Sequence, residues 1–113
     1  MKILVTGANG YLGRGVVKQL LDNGHIVVAT DFSLQNVDSR AISIECDIFS
    51  VSNPYCFFGE PDVLIHMAWK NGFIHNNVSH INDLPNHYKF LNQIFFGYLK
   101  SKMNILIIQE FRL

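Results

Sequence analysis

The sequence has few charged residues, and this scarcity bounds its class. Charged residues make up 16% of the 113 residues, whereas hydrophobic residues make up 49%. An average soluble domain carries roughly 25% charged residues, so this balance excludes a disordered chain and predicts a heavily buried interior. Nine basic residues balance nine acidic ones. A neutral chain has no general attraction to nucleic acid or to an anionic membrane, and neither partner is expected.

Long apolar runs and paired cysteines are also missing. No run approaches the roughly 18 apolar residues of a membrane span, and the run after Met1 is too short for a secretory signal. Cys46 and Cys56 form no CxxC motif, which favours reduced thiols. These observations predict a cytoplasmic protein without a membrane segment.

Short apolar runs alternate with amphipathic stretches along the whole chain. Continuous apolar runs are typical of strands that are covered on both faces, and Pro54 with Gly59 predicts an irregular stretch between the third and fourth strands. The alternation predicts one α/β domain, residues 1–113, built on a doubly wound parallel sheet. The predicted elements are strands at residues 2–6, 26–30, 41–46, 63–68 and 104–109, and helices at about 12–22 and 84–102.

The strongest functional signal is the segment Gly7-Ala8-Asn9-Gly10-Tyr11-Leu12-Gly13. It follows a predicted strand and opens a predicted helix, which is the context that a dinucleotide-binding turn requires. Gly7 permits the tight turn, Gly10 lets a pyrophosphate approach, and Gly13 lets the helix pack close to the sheet. The helix N-terminus offers N–H groups and a partial positive charge to phosphates. A tight turn without a ligand is the alternative.

Asp31 ends the second predicted strand, where a carboxylate accepts hydrogen bonds from an adenosine ribose. The same charge repels a 2′-phosphate, so NAD is favoured over NADP. Arg14 follows Gly13 directly and could reach a phosphate, which keeps NADP as the less favoured cofactor. A solvated strand-end carboxylate is the alternative for Asp31.

The segment from Thr6 to Gly13 resembles the TGxxGxxG fingerprint of the extended short-chain dehydrogenase/reductase family, the NAD-dependent epimerase/dehydratases. This resemblance implies a Rossmann-type sheet with strand order 3-2-1-4-5. It also implies an enzyme family that acts on nucleotide-activated sugars. Asp47-Ile48 resembles the family pair whose acid contacts the adenine amino group, and the segment from His66 to Ala68 resembles one that lines the cofactor; Trp69 departs from the usual alanine. The cofactor-binding residues predicted in this way are Gly7, Asn9, Gly10, Tyr11, Leu12, Gly13, Asp31, Phe32, Asp47, Ile48, His66, Met67 and Ala68.

The resemblance also implies which catalytic residues to look for. In that family a Tyr-x-x-x-Lys pair on the helix after the fifth strand, with a Ser or Thr, exchanges a proton with the sugar while the nicotinamide takes or gives hydride. The chain stops at Leu113, so a domain truncated after strand five is expected, with little activity alone. Tyr98 and Lys102 have the required spacing, but their helix precedes the fifth strand, and coincidence is the better interpretation.

The histidines show no metal-binding pattern, and no metal site is predicted. The separations of His66, His75, His80 and His87 match no compact zinc motif, and no cysteine lies among them. His66 is expected near the cofactor because of the resemblance. The other histidines are expected on loops or on helix surfaces.

Three hypotheses about function stay open. The chain is the NAD-binding portion of a nucleotide-sugar epimerase, dehydratase or reductase, or a non-catalytic NAD(H)-binding module, or a defunct fragment. Within the first class, the opening Lys2–Arg14 also resembles the dTDP-4-dehydrorhamnose reductase branch, although residues 63–69 lack its Asn-Ala-Ala. A nucleotide-sugar substrate is expected only in a full-length relative. An uncovered fifth strand also predicts self-association through that sheet edge.

Overall fold

A computed structural model describes residues 1–68, 84–101 and 107–109. Strands and helices alternate along these residues, as the apolar pattern predicts. The elements are β1 (Lys2–Thr6), α1 (Tyr11–Asp22), β2 (Ile26–Asp31), β3 (Ile42–Glu45), a 3-10 turn (Ile48–Ser50), α2 (Pro54–Phe57), β4 (Val63–His66), α3 (Leu84–Ser101) and β5 (Ile107–Gln109).

The strands form a parallel sheet in the order β3-β2-β1-β4-β5. Leu4 in β1 lies between Val28 in β2 and Leu64 in β4, so β1 occupies the centre. The order of the first four strands, 3-2-1-4, is the predicted one. β5 pairs with β4 in parallel, and residues 104–106 of the predicted fifth strand lie outside the described residues. Self-association through this edge stays a prediction.

Side chains alternate between the two faces of the sheet and form two cores. Leu4 and its neighbours Val28 and Leu64 pack under α2 and α3, together with Phe58 and Phe90. The second core lies between the other face of the sheet and α1. Its buried residues are Ile3, Val5, Ala8, Val17, Val27, Ala29, Val63 and Ile65. Burial on both faces explains why the strands are continuous apolar runs.

Helix α1 begins and ends beside glycines. Gly10 is its N-terminal cap residue and Asn23 its C-terminal one. Gly24 follows with a φ of 83°, a left-handed conformation that glycine adopts without steric cost. The Asn23-Gly24 pair therefore turns the chain from α1 into β2.

Two elements differ from the sequence prediction. β4 ends at His66 rather than at residue 68, because the N–H of Ala68 donates to the side-chain oxygen of Thr6 and that of Met67 is shared between this oxygen and the Thr6 carbonyl oxygen. The stretch predicted as irregular contains the short helix α2, which begins at Pro54. Proline is tolerated in a first turn, where its missing N–H has no partner to lose.

The expectation that His87 lies on a helix surface is wrong. His87 is 2% exposed, and it shares one face of α3 with the buried Phe90 and Ile94. These three residues recur at helical spacing, so the face that α3 turns to the sheet carries the histidine inward. His75 and His80 lie outside the described residues.

Candidate functional site

Gly7 makes the turn from β1 into the loop before α1. Its φ is 69°, a conformation that favours glycine. A Cβ on Gly7 would lie 2.7 Å from the carbonyl carbon of Met67 and 2.8 Å from the amide nitrogen of Ala68. The turn is therefore pressed against the backbone that leaves β4, and a residue with a side chain cannot occupy this position without displacing it.

Gly13 brings α1 against the same turn. A Cβ on Gly13 would overlap the carbonyl oxygen of Gly7 and lie 2.9 Å from the Cα of Ala8. The N–H of Gly10 also donates to the Gly7 carbonyl oxygen at 3.1 Å. The three glycines therefore fix the start of α1 directly over the end of β1.

The first turn of α1 carries no side-chain cap. Gly10, the cap residue, has no side chain to accept hydrogen bonds from this turn, and the turn holds no acidic residue. Tyr11 and Leu12 are exposed on it. A helix N-terminus without an internal acceptor is suited to an external anion, which its N–H groups and partial positive charge favour.

Asp31 lies beside this turn and is bonded to it. Oδ2 of Asp31 accepts a hydrogen bond from the N–H of Asn9 at 3.0 Å, and Oδ1 accepts from the N–H of Phe32 at 2.8 Å. Phe32 is exposed next to the carboxylate. Two backbone donors thus hold the carboxylate at the carboxyl end of β2.

The loop after β2 is fastened at two points. Oδ1 of Asn9 accepts from the N–H of Asn36 at 2.9 Å. Arg40 donates to both Asp38 and Asp22 at 2.8 Å, which ties the loop to the end of α1. Hydrogen bonds from Arg40 lower the pKa of Asp38 to about 2. This loop, residues 33–40, therefore has a defined path beside Asp31.

Asp47 and Ile48 play separate structural roles. Asp47 caps the 3-10 turn, where its Oδ1 accepts from the N–H of Phe49 at 3.0 Å. Ile48 is buried in the core beneath α2 and α3. The Ile48 side chain thus points into the core, and its contact with a ligand would be through its backbone.

Thr6, His66 and His87 form a buried chain of polar groups at the ends of β1 and β4. The Thr6 hydroxyl oxygen lies 2.7 Å from Nδ1 of His66, and Nε2 of His66 lies 2.8 Å from Nδ1 of His87. Burial, and secondly the neighbouring His87, lowers the pKa of His66 to about 3. His66 is therefore neutral at physiological pH. Neither Thr6 nor His87 was among the predicted site residues; helical spacing of His87 with Phe90 and Ile94 was the available signal.

The sheet topology brings most predicted site residues together at the carboxyl ends of the strands. Thr6 is in register with both Thr30 and His66, so the carboxyl ends of β1, β2 and β4 meet there. Gly7, Asp31 and Met67 each lie at one of those carboxyl ends. Ligands bind outside these ends in such sheets. Of the Tyr98–Lys102 pair, Tyr98 belongs to α3 and Lys102 lies outside the described residues, so its interpretation stays a prediction.

Two searches limited to the described residues gave no candidates. In that part of the chain, no group of His, Cys, Asp or Glu residues could hold a metal ion. None of the helices placed there is long and apolar enough to cross a membrane.

Residues 3–89 match the sequence model of the NAD dependent epimerase/dehydratase family. The chain belongs to this family. A dTDP-6-deoxy-L-talose 4-dehydrogenase (NAD(+)) from Aggregatibacter actinomycetemcomitans is 40% identical over 99 residues, which are 83% of this chain and 37% of that protein. A dTDP-4-dehydrorhamnose reductase from the same organism is 35% identical over 68 residues, 59% of this chain and 20% of the reductase.

A solved structure of lower sequence identity shares the fold of this chain. A short chain dehydrogenase from Leptospira borgpetersenii, solved with bound NAD+, superposes with a TM-score of 0.76 at 20% identity, over 96% of this chain and 50% of that one. The chain therefore spans half or less of the length of each of these three proteins.

Proposed function

We propose that this chain is the NAD-binding portion of an oxidoreductase that acts on nucleotide-activated sugars. The observation that carries the proposal is the glycine turn: Gly7 pressed on the Met67–Ala68 backbone, Gly13 pressed on Gly7, and an uncapped helix N-terminus above them. Glycines at these three positions keep the start of the helix free of their own side chains, which leaves room for a pyrophosphate.

The residues at this edge fit a dinucleotide. In the proposed complex, the N–H groups of the first turn of α1 hold the pyrophosphate, beside Gly10, Tyr11 and Leu12. Asp31 holds the adenosine ribose, with Phe32 next to it. Asp47 and the backbone of Ile48 contact the adenine, and the segment from His66 to Ala68 flanks the far half of the cofactor.

The carboxylate at Asp31 supports NAD over NADP. Both of its oxygens accept backbone N–H donors, which hold the carboxylate where its charge repels a 2′-phosphate. The 40% identical relative is named for NAD(+). Arg14 lies next to Gly13 and is the residue through which NADP would be accepted instead.

NAD supplies hydride transfer when it is bound. This chain's own residues bind and orient the dinucleotide, and we place sugar selection and proton transfer outside residues 1–113. The portion alone is therefore expected to bind NAD and to turn over little sugar. The dTDP-sugar relatives favour a dTDP-linked deoxysugar as substrate, through a dehydrogenase or a reductase of the dTDP-4-dehydrorhamnose reductase type. The free thiols of Cys46 and Cys56 suit the cytoplasm as its compartment.

Calorimetric titration of the chain with NAD and NADP tests the proposal. We expect saturable binding of NAD, weaker binding of NADP, and loss of that preference in Asp31→Ala. Glu60→Gln is the matched control, because it removes an exposed carboxylate in the turn before β4, at the opposite end of the sheet, and should leave NAD binding intact. Absence of NAD binding by a cooperatively folded wild-type chain would reject the proposed function.

A further inference from the structure

The hydrogen-bond chain from Thr6 to His87 runs through the interior. Thr6 and His66 are fully buried and His87 is 2% exposed. Phe49 meets the His87 ring edge-on with centroids 4.8 Å apart, and Phe90 lies 5.1 Å from the His66 ring. Apolar rings therefore flank the chain, and each of its polar atoms depends on its protein partners rather than on bulk water.

Counting donors and acceptors fixes which atom donates in each hydrogen bond from Thr6 to His87. The Thr6 hydroxyl oxygen accepts from the N–H of Ala68 at 3.2 Å and from that of Met67 at 3.1 Å, a donor that it shares with the Thr6 carbonyl oxygen. Both of its lone pairs are then used, so its hydrogen is directed to Nδ1 of His66. Nδ1 of His66 is thus the acceptor, and the neutral ring carries its proton on Nε2.

The same reasoning extends to the second ring. Nε2–H of His66 donates to Nδ1 of His87 at 2.8 Å, so His87 is neutral with its proton on Nε2. A proton added to His66 would face the Thr6 hydroxyl hydrogen, and one added to Nδ1 of His87 would face the Nε2–H of His66. The hydrogen bonds among Thr6, His66 and His87 therefore form in one tautomeric arrangement.

The Thr6 end of this series of hydrogen bonds lies against the glycine turn. The two N–H groups that Thr6 accepts belong to Met67 and Ala68, and the backbone of these residues is the surface against which Gly7 lies. If His87 loses its acceptor nitrogen, His66 has an unpaired Nε2–H and gains by turning or by changing tautomer. Thr6 then loses its own acceptor, and the backbone beside Gly7 loses its fixed position.

We propose that His87 is a positioning residue for the dinucleotide site, acting through His66 and Thr6 on the Met67–Ala68 backbone that closes on Gly7. This inference rests on the proposed function, because the site that it positions is the NAD site. His87 itself touches no residue of the glycine turn; its effect depends on the hydrogen bonds between.

The described groups around these hydrogen bonds act on His66 in different ways. His87 lowers the pKa of His66 electrostatically. Thr6 from β1, Phe90 from α3 and Gln109, the register partner of His66 in β5, carry no charge. The carboxylate of Asp47 at the 3-10 turn accepts from the N–H of Phe49. A change at His87 reaches Thr6 through the hydrogen bonds of His66.

Two substitutions at His87 separate positioning from packing. His87→Asn keeps an acceptor oxygen near the place of Nδ1, whereas His87→Leu fills space without an acceptor. We expect His87→Leu to raise the dissociation constant for NAD about tenfold, equivalent to about 1.4 kcal/mol, and His87→Asn to stay near wild type. Calorimetric titration with NAD, on chains shown to melt cooperatively, measures the difference.

Nitrogen-15 spectra of the histidine rings give a readout that packing alone would not move. The wild-type chain, with or without NAD, should show His66 protonated on Nε2 and not on Nδ1. His87→Asn should keep that signature and His87→Leu should lose it. If His87→Leu fails to fold, Thr6→Val and Thr6→Ser give the same comparison, the first without and the second with the hydroxyl.

The outcomes are distinguishable. A wild-type chain that binds no NAD rejects the proposed function, and this inference with it. A wild-type chain that binds NAD while the variant lacking the acceptor or hydroxyl (His87→Leu or Thr6→Val) binds it equally well rejects the inference alone. A proton on Nδ1 of wild-type His66 also overturns it.

Discussion

The backbone N–H of Asn9 donates to Oδ2 of Asp31 at 3.0 Å, so the glycine turn and the end of β2 are joined directly. The side chain of Asn9 continues the link, because its Oδ1 accepts from the N–H of Asn36 at 2.9 Å. One residue thus holds both the carboxylate proposed to bind ribose and the loop beside it. Its backbone serves the first contact and its side chain the second.

Asn9→Ala should weaken NAD binding about fivefold. The variant keeps the backbone bond to Asp31 but loses the bond to Asn36, and a typical hydrogen bond is worth about 1 kcal/mol. Calorimetric titration measures the change. Asn53→Ala is the control, because Asn53 caps α2 through the N–H of Cys56 and should change stability without changing NAD affinity. Equal affinities for wild type and Asn9→Ala would show that the loop takes no part in binding.

Gly13→Ala should destabilise the fold, whereas Gly15→Ala in the same helix should not. A Cβ at Gly13 overlaps the carbonyl oxygen of Gly7, but a Cβ at Gly15 meets nothing within 4 Å. Overpacking costs about 1–3 kcal/mol, and alanine in an open helix position gains about 0.5–1 kcal/mol over glycine. Urea unfolding of the two variants should give shifts of opposite sign. Similar shifts would mean that α1 does not lie against the turn.

Phe58→Ala should cost far more stability than Phe57→Ala. Phe58 is 1% exposed in the core beneath α2 and α3, whereas its neighbour Phe57 is 50% exposed. Truncating a buried phenylalanine costs about 3–5 kcal/mol, and truncating the exposed one should cost under about 1 kcal/mol. Chemical denaturation measures both. A larger cost at Phe57 would reverse the assignment of faces to α2.

Acid should destabilise the protein through His66. Burial lowers the pKa of His66 to about 3, whereas the unfolded chain has a histidine pKa of about 6.5. The unfolded state therefore binds more protons between these values. This contribution to stability is complete above about pH 6.5 and is lost progressively as the pH falls toward 3, by at most about 1.4 kcal/mol per pH unit.

Urea titrations between about pH 7.5 and 5.5, above the range in which most carboxylates protonate, isolate this effect. His66→Asn should show a flatter dependence, because it offers Thr6 an acceptor but binds no proton in that range. An equally steep slope in wild type and variant would assign the pH dependence to other groups.

Local signals made much of the fold predictable from the sequence. The continuous apolar runs at Lys2–Thr6 and Ile26–Asp31 are buried on both faces, and the Asn23-Gly24 pair ends α1 where the chain needs a left-handed residue. The spacing of the glycines in the turn is equally local, although the backbone of Met67 and Ala68 that excludes a side chain at Gly7 is distant in sequence. Each of these signals is carried by a few consecutive residues.

The parts that were missed depend on contacts between distant residues. Thr6 and His66 are separated by 60 positions, and His66 and His87 by 21, so no local pattern predicts their bond. β4 ends at His66, where the Thr6 hydroxyl on β1 accepts from the N–H of Ala68 and shares that of Met67 with the Thr6 carbonyl oxygen, although the apolar run continues. The burial of His87 depends on which face α3 turns to the sheet, and a histidine is by itself no sign of a core position.

The central claim is that the glycine turn and Asp31 hold NAD, and a thermal melt with increasing NAD or NADP tests it most directly. A ligand that binds the folded state alone, at 100 times its dissociation constant, adds about 2.7 kcal/mol of stability, a rise of several degrees for a chain of this size. The account predicts such a rise with NAD, a smaller one with NADP, and loss of the difference in Asp31→Ala. A cooperative melt that neither dinucleotide shifts would contradict it, and the turn would then be a structural device.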